Sequence, residues 1–190
     1  MFEPIYNGGI PYVGLDDVAG ARKAVDLLIA EGHPTIAFIG NSRTRLAFAR
    51  RRSGYEAALI SAGIMSNAGM VLDGEGTIES GRVAVEQLFM RDTLPTAFMC
   101  VNDQTAMGVM LALSARGYGI PGEFSVVGFD DISQSGFMSP SLATMRQPRT
   151  AIGRLAMTML LESLNGSAPV LAENLLMPEL VIRNSVGKPK

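Results

Sequence analysis

Short apolar runs alternate along this chain with longer segments in which apolar residues recur at helical spacing. The runs predict strands at residues 12–15, 35–39, 69–72, 96–101, 124–128, 143–145 and 174–177. Strands that alternate with helices are typical of βαβ units, in which parallel strands form a sheet and helices cover its faces. The pattern therefore predicts an α/β fold with a parallel sheet.

Four helical segments are predicted between the strands, because each has a stripe of apolar residues three or four positions apart. The stripes are Ala21, Val25, Leu28 and Ile29; Tyr55, Ala58, Leu59 and Ala62; Ala106, Val109, Met110 and Leu113; and Ile152, Leu155, Ala156, Met159 and Leu160. Each stripe is long enough to cover one face of a sheet. Glycine or an Asn-Gly turn follows each stripe, as expected at the end of a helix.

Composition and charge narrow the class of function. Sixteen Lys and Arg against eighteen Asp and Glu give a formal charge of −2, so the chain lacks the basic surface that binds nucleic acid. No stretch approaches the roughly 20 apolar residues that cross a bilayer. The single cysteine, Cys100, lies in an apolar run and is predicted to be a core residue. We expect a cytoplasmic protein with no membrane contact.

Short polar residues follow four of the predicted strands. They are Asp16 and Asp17, Asn41 and Ser42, Asn102 and Asp103, and Asp130 and Asp131. Ligands of open α/β sheets bind outside the carboxyl ends of the strands, but Asp, Asn and Ser are also the preferred N-caps of helices. In a doublet, one member can cap the helix while the other faces the crevice. Amide and carboxylate groups that converge there suit a hydroxyl-rich ligand.

An arginine can supply the positive partner at such a crevice. Arg51 is the best candidate of an arginine-rich stretch, because it lies four residues before Tyr55 and so shares the buried face of the helix. The only histidine, His33, follows Gly32 at a helix end and is interpreted as a cation or cap there. The sequence contains no GxSxG, GxGxxG or GxxxxGK[ST] motif. Neither an enzyme nor a metal or cofactor site is expected.

In these motifs the chain resembles the LacI/GalR (lac repressor-type) family of transcription regulators over residues 13–185. The most specific stretch contains Asn102-Asp103, Met107-Gly108, Gly117, Ile120-Pro121 and Val126-Val127-Gly128-Phe129-Asp130-Asp131. Further matches are Gly32-His33, Phe38-Ile39-Gly40, Arg51 with Gly54-Tyr55, Gln147-Pro148 and residues 178–185. Motifs of this length and order are specific to the family.

The resemblance implies two Rossmann-like (periplasmic-binding-protein-like) subdomains with parallel sheets, joined by three crossover strands. Residues 1–41 and 148–177 are expected in an incomplete first subdomain, and residues 42–147 and 178–190 in the second. Turn residues at Asn41, Gln147-Pro148 and 176–178 are predicted to mark the crossings. The family's helix-turn-helix headpiece has no counterpart in this sequence.

The resemblance also implies a function: the effector-binding and dimerisation core of a regulator that reaches operator DNA only through the headpiece. Family effector contacts fall on Arg51, Asn102 and Asp130, with Asp16 and Gln147 as weaker candidates. A sugar or a related small polar metabolite is the expected effector, and a homodimer the expected assembly. Where many members place an aromatic ring against the ligand, this chain has Gly76 and Thr77, which leaves a stacked sugar ring open.

Two other classes of protein remain as alternatives. A periplasmic-type sugar-binding protein has a related architecture, but the absence of an export signal and the segment 179–185 argue against it. A nucleotide- or flavin-using α/β enzyme is disfavoured because the phosphate-binding loops are missing.

Overall fold

The computed structural model describes residues 12–42, 45–65, 67–165 and 173–189. The strands are β1 (Tyr12–Leu15), β2 (Ile36–Asn41), β3 (Val71–Asp73), β4 (Ala97–Cys100), β5 (Ser125–Asp130), β6 (Ala143–Arg146), β7 (Glu173–Leu176) and β8 (Glu179–Val181). The helices are α1 (Asp17–Ala30), α2 (Leu46–Ser61), α3 (Ile78–Phe89), α4 (Asp103–Ala115) and α5 (Arg149–Leu164). The predicted α/β class is confirmed.

Six strands form one sheet in the order β3-β2-β4-β5-β6-β8, and all pairs are parallel except β6 with β8. Helices α1 and α2 cover one face of this sheet, and α3 and α4 cover the other. Successive side chains of a strand point to opposite faces, so Phe38 packs with α1 and α2 while Ile39 packs with α3 and α4. Because both faces are covered, the central strands are apolar throughout, which made them recognisable in the sequence.

The other two strands, β1 and β7, pair in parallel as a separate two-stranded sheet. Helix α5 lies against β1. None of the residues that the structure describes in α5 is buried, and Leu160, Leu161 and Leu164 are each more than half exposed. The predicted α5 stripe is therefore covered only in part, at Ile152, Leu155 and Met159, which are half-buried.

The predicted crossing at Asn41 is wrong. Strand β2, which ends at Asn41, pairs with β3 and β4 in the six-stranded sheet, and α1 packs on the same sheet. The chain therefore leaves the two-stranded sheet between Leu15 and Asp17, and residues 17–41 belong with the six-stranded sheet. Gly40 and Asn41 mark the end of a strand, where Gly40 adopts a φ of 122° and its Cα lies against Val101. Such punctuation looks alike in sequence at a strand end and at a crossing.

Two elements, α3 and β8, were not predicted from the sequence. In α3 the buried residues include Gly81, which packs so tightly on α4 that an added Cβ would overlap the backbone oxygen of Thr105. A helix that presents glycine to its neighbour has a weak apolar stripe. Its start is nevertheless well defined, because Thr77 and Ser80 form a capping box.

Two single residues, Cys100 and His33, test further predictions of the sequence analysis. Cys100 is fully buried, which confirms it as a core residue. His33 is not a helix-end cation, because it is 2% exposed. Its Nε2 donates to the backbone oxygen of Gly187 at 2.9 Å, and its Nδ1 lies 3.1 Å from the Thr96 hydroxyl. Burial lowers the pKa of His33, so the neutral ring is favoured.

The depressed pKa of His33 predicts a pH-dependent stability. The unfolded chain takes up this proton at a higher pH than the folded protein, so the free energy of unfolding should fall as the pH drops below about 6.5 and through the folded-state pKa. The loss is about 1.4 kcal/mol for each unit by which the two pKa values differ. When the free energy of unfolding in urea is compared at about pH 7.5 and pH 5.5, we expect His33→Gln to lack this part of the loss. Equal pH slopes for the two proteins would contradict the assignment.

Candidate functional site

Polar side chains collect at the carboxyl ends of β4, β5 and β6, where the first turns of α1 and α2 also lie. Arg51 of α2 is at the centre of this cluster and is only 6% exposed. The predicted helix face is therefore confirmed, since Tyr55, one turn further along, is also buried. In the parallel sheet of an α/β protein this end of the strands is where ligands bind.

Two carboxylates and a carbonyl hold the guanidinium of Arg51. Its Nε donates to Oδ1 of Asp17 at 2.7 Å, and its Nη1 donates to the backbone oxygen of Val101 at 2.6 Å. Nη1 also lies 3.5 Å from Oδ1 of Asp130. The guanidinium carbon lies 3.8 Å from the centre of the Phe129 ring, and this contact restricts the orientation of the guanidinium plane. These contacts hold the donors of Arg51 in one orientation.

One nitrogen of Arg51 is left over. Among the hydrogen bonds of the described residues, Nη1 and Nε have partners and Nη2 has none. Nη2 is also not among the described polar atoms that are sealed from solvent without a partner. A guanidinium that is fixed on two sides and has one nitrogen without a partner can donate from that nitrogen to a ligand oxygen.

Asp130 supplies an acceptor beside this donor. Its Oδ1 accepts from Nε2 of Gln147 at 2.5 Å, and its backbone oxygen accepts from Nη2 of Arg149 at 3.1 Å. Burial raises the pKa of the Asp130 carboxyl, while Arg51 and Gln147 lower it. Asp130 has a φ of 119°, a conformation that is strained for any residue with a Cβ and is found at functional sites more often than elsewhere.

Three of the five residues predicted for the site are thus brought together: Arg51, Asp130 and Gln147. The other two are hydrogen-bonded as helix N-caps. Asn102 accepts from the Thr105 amide at 2.9 Å and donates to the Gly76 carbonyl at 2.8 Å.

Asp16 accepts from the Ala19 amide at 2.9 Å. A ligand would reach the amide of Asn102 only by displacing one of that residue's two bonds. Asp16 keeps a second carboxylate oxygen, which makes no hydrogen bond among the described residues.

The functional residue that the sequence analysis did not select is Asp17. Its carboxylate is the closest ionic partner of Arg51, and the two side chains are 9% and 7% exposed. Burial raises the pKa of Asp17, and the adjacent guanidinium lowers it. The doublet Asp16-Asp17 was a signal, because one member caps α1 and the other is then free to face α2.

The second members of the doublets Asn102-Asp103 and Asp130-Asp131 are structural. Asp103 is fully buried, and its carboxylate accepts from the Ile132 amide and the Ser135 and Thr144 hydroxyls. The carboxylate of Asp131 binds Arg183 and Arg146, both at 2.6 Å. Although burial raises the pKa of Asp131, these two guanidinium groups lower it overall. Of these two carboxylates, that of Asp103 is the one that accepts from a backbone amide among the described residues.

Comparison with known proteins agrees with this geometry. A family model described as a periplasmic binding protein-like domain matches residues 25–186. The HTH-type transcriptional repressor PurR of Pasteurella multocida is 35% identical over 167 residues, which cover 88% of this chain and 50% of that protein.

Solved structures give the same result. A regulatory protein of the LacI family from Chloroflexus aggregans superposes with a TM-score of 0.90 at 34% identity, covering 97% of this chain and 66% of that one. A LacI family transcriptional regulator from Enterococcus faecium with bound ribose has a TM-score of 0.88 at 25% identity, covering 97% and 68%.

The fold is that of a periplasmic-binding-protein-like domain. Within that class the chain belongs to the LacI/GalR family of transcription regulators, of which it is a partial core region. The chain spans about half the length of the curated relatives it matches. No helix among the described residues is long and apolar enough to cross a membrane.

Proposed function

We propose that this chain is the effector-sensing core of a LacI-type regulator and that it binds a small hydroxyl-rich molecule through Arg51 and Asp130. The observation that carries the proposal is the pairing of an unused donor, Nη2 of Arg51, with the partly buried acceptor Asp130. A sugar hydroxyl is both an acceptor and a donor, so one hydroxyl or two neighbouring ones satisfy both groups. Asn102 and Asp16 are secondary contacts, because their side chains already cap helices.

The position of the cluster suggests how binding is sensed. Asp17 directly follows the connection from β1 to α1, and Gln147 lies on the connection from β6 to α5. We infer one subdomain from residues 12–16 and 148–177 and a second from residues 17–147 and 178–189. A ligand that replaces Gln147 as the hydrogen-bond partner of Asp130 acts on the segment that joins the two subdomains. Such a ligand shifts the subdomain arrangement only if it binds one arrangement more tightly than the other.

The remaining parts of the function follow from the same family. We infer that the chain is not an enzyme, that it works in the cytoplasm as a homodimer, and that operator DNA is bound by a headpiece outside this sequence. The formal charge of −2 supports the last point, because phosphate contacts require a basic surface.

The test is calorimetric titration of the 190-residue protein with ribose and glucose. We expect Asp130→Asn to weaken binding by at least about tenfold. The carboxylate can accept from Gln147 and from a sugar hydroxyl at the same time, whereas the amide has a single, uncharged acceptor oxygen for both. Asn has the same shape as Asp, so the variant adds no new steric strain at the positive φ of this position. Asp73→Asn is the matched control, since Asp73 ends the edge strand β3 of the same sheet and is exposed. Absence of binding by either sugar, or an equal loss in both variants, contradicts the proposal.

A further inference from the structure

The cluster around Arg51 contains more acid than base. One guanidinium is flanked by two carboxylates, Asp17 at 2.7 Å and Asp130 at 3.5 Å. The three side chains are 7%, 9% and 23% exposed, so solvent screens their charges only weakly. With both carboxylates ionised, the buried part of the site has a net charge of about −1, one cation against two anions.

Other charged groups act on the cluster from more exposed positions, where solvent screens them more: the charges of Arg149 and Arg50 lower the pKa of Asp130 and Asp17, and the charge of Asp16 raises that of Asp17. Arg149 is exposed and donates to the backbone oxygen of Asp130, not to its carboxylate. Arg50 is half-buried and has a partner of its own, while Asp16 adds a further carboxylate beside Asp17. Arg51 is thus the one buried cation of the described cluster, and Asp17 already neutralises it.

The side on which Asp17 binds matters for a ligand. Asp17 contacts Nε, whereas the unpartnered nitrogen is Nη2, so Asp17 removes charge from Arg51 without blocking its free donors. A neutral hydroxyl loses nothing by this arrangement, because it accepts from Nη2 and donates to Asp130. A phosphate or carboxylate group in the same place meets two carboxylates for one guanidinium and has no proton to give Asp130. Like charges placed together at such a site weaken binding.

We propose that Asp17 is a specificity-determining residue that acts through Arg51 and restricts the site to uncharged polyhydroxylated ligands, excluding phosphate esters and acids. The inference rests on the proposed function, since it concerns the same cleft. Asp17 does not touch the ligand. It sets how much positive charge the ligand meets.

The experiment titrates the 190-residue protein with ribose and glucose, with their terminal phosphate esters and with their aldonic acids, which place the charge at either end of the sugar. We expect the neutral sugars to bind and both kinds of anion to bind roughly a hundredfold more weakly, because of this repulsion. In Asp17→Asn the ratio of neutral to anionic affinity should narrow by about tenfold or more, because one of the two carboxylates is removed. In Asp26→Asn, which removes an exposed carboxylate further along α1, the ratio should stay the same.

Each other outcome overturns a specific statement. Anions that bind wild-type protein as tightly as the neutral sugars overturn the selectivity and leave the proposed function intact. Asp17→Asn that weakens every ligand by the same factor shows Asp17 to be structural only. If that variant does not fold, Asp17→Glu, which keeps the charge, must retain the wild-type ratio, and a changed ratio there overturns the proposal. Failure of both neutral sugars to bind wild-type protein overturns the proposed function, and this inference with it.

Discussion

Arg51→Ala is expected to weaken the binding of a neutral sugar by roughly ten- to a hundredfold, because charge-assisted hydrogen bonds of about 1.5 to 3 kcal/mol are lost. The change should also destabilise the fold. Without the guanidinium, the buried carboxylate of Asp17 and the partly buried one of Asp130 lose their counter-ion, which costs about 3 to 5 kcal/mol in comparable buried pairs. Titration calorimetry and urea unfolding measure the two effects separately.

The neighbouring residue Arg52 provides the control for Arg51. It lies on the same helix but bonds Glu56 and Asn41 and is 41% exposed, so Arg52→Ala should leave the affinity almost unchanged. Arg51→Lys should restore stability in part and affinity poorly, since an ammonium does not reach Asp17, Val101 and a ligand at once. Equal affinities for the wild type, Arg51→Ala and Arg52→Ala would return Arg51 to a purely structural role.

The fold could be predicted where burial imposes a simple pattern. Strands covered on both faces are continuous apolar runs, and all seven predicted strands are present, with ends shifted by up to two residues. Prediction failed where a local signal has two structural meanings. Gly40 and Asn41 end a strand, yet the same residue types mark a change of sheet. Pairing of β2 with β3 and β4 is a long-range contact, and no local pattern reports it.

The site could be predicted down to the cluster but not to every side chain. Helical spacing from Tyr55 placed Arg51 on the buried face of α2, and the strand ends placed Asp130 nearby. The choice within each doublet depends on where the first helical turn begins, which is a matter of one residue. Asp16 caps α1, so Asp17 faces Arg51. Asn102 caps α4, so Asp103 points into the interior.

A loss of stability as large as that of Arg51→Ala is expected at Asp103. This fully buried carboxylate links three separate parts of the protein: its own helix α4, the segment after β5, and strand β6. Its Oδ2 accepts from the Ile132 amide at 2.9 Å and the Ser135 hydroxyl at 2.6 Å, and its Oδ1 accepts from the Thr144 hydroxyl at 2.5 Å. Burial raises the pKa of Asp103, while these donors lower it. The three donors have no other acceptor nearby among the described contacts.

Asp103→Ala should therefore lower the free energy of unfolding by about 3 to 5 kcal/mol, because it leaves buried donors unmatched and opens a cavity. Asn102→Ala is the matched control on the preceding residue. It removes an N-cap, which costs about 1 kcal/mol. Urea unfolding at neutral pH compares the two variants directly. Asp103→Asn should fall between them, since an amide keeps one acceptor oxygen but replaces the other with an NH₂ donor. That donor then faces either the Ser135 and Thr144 hydroxyls, which can rotate to accept from it, or the Ile132 amide, which cannot. If Asp103→Ala costs no more than Asn102→Ala, the carboxylate does not hold these three segments together.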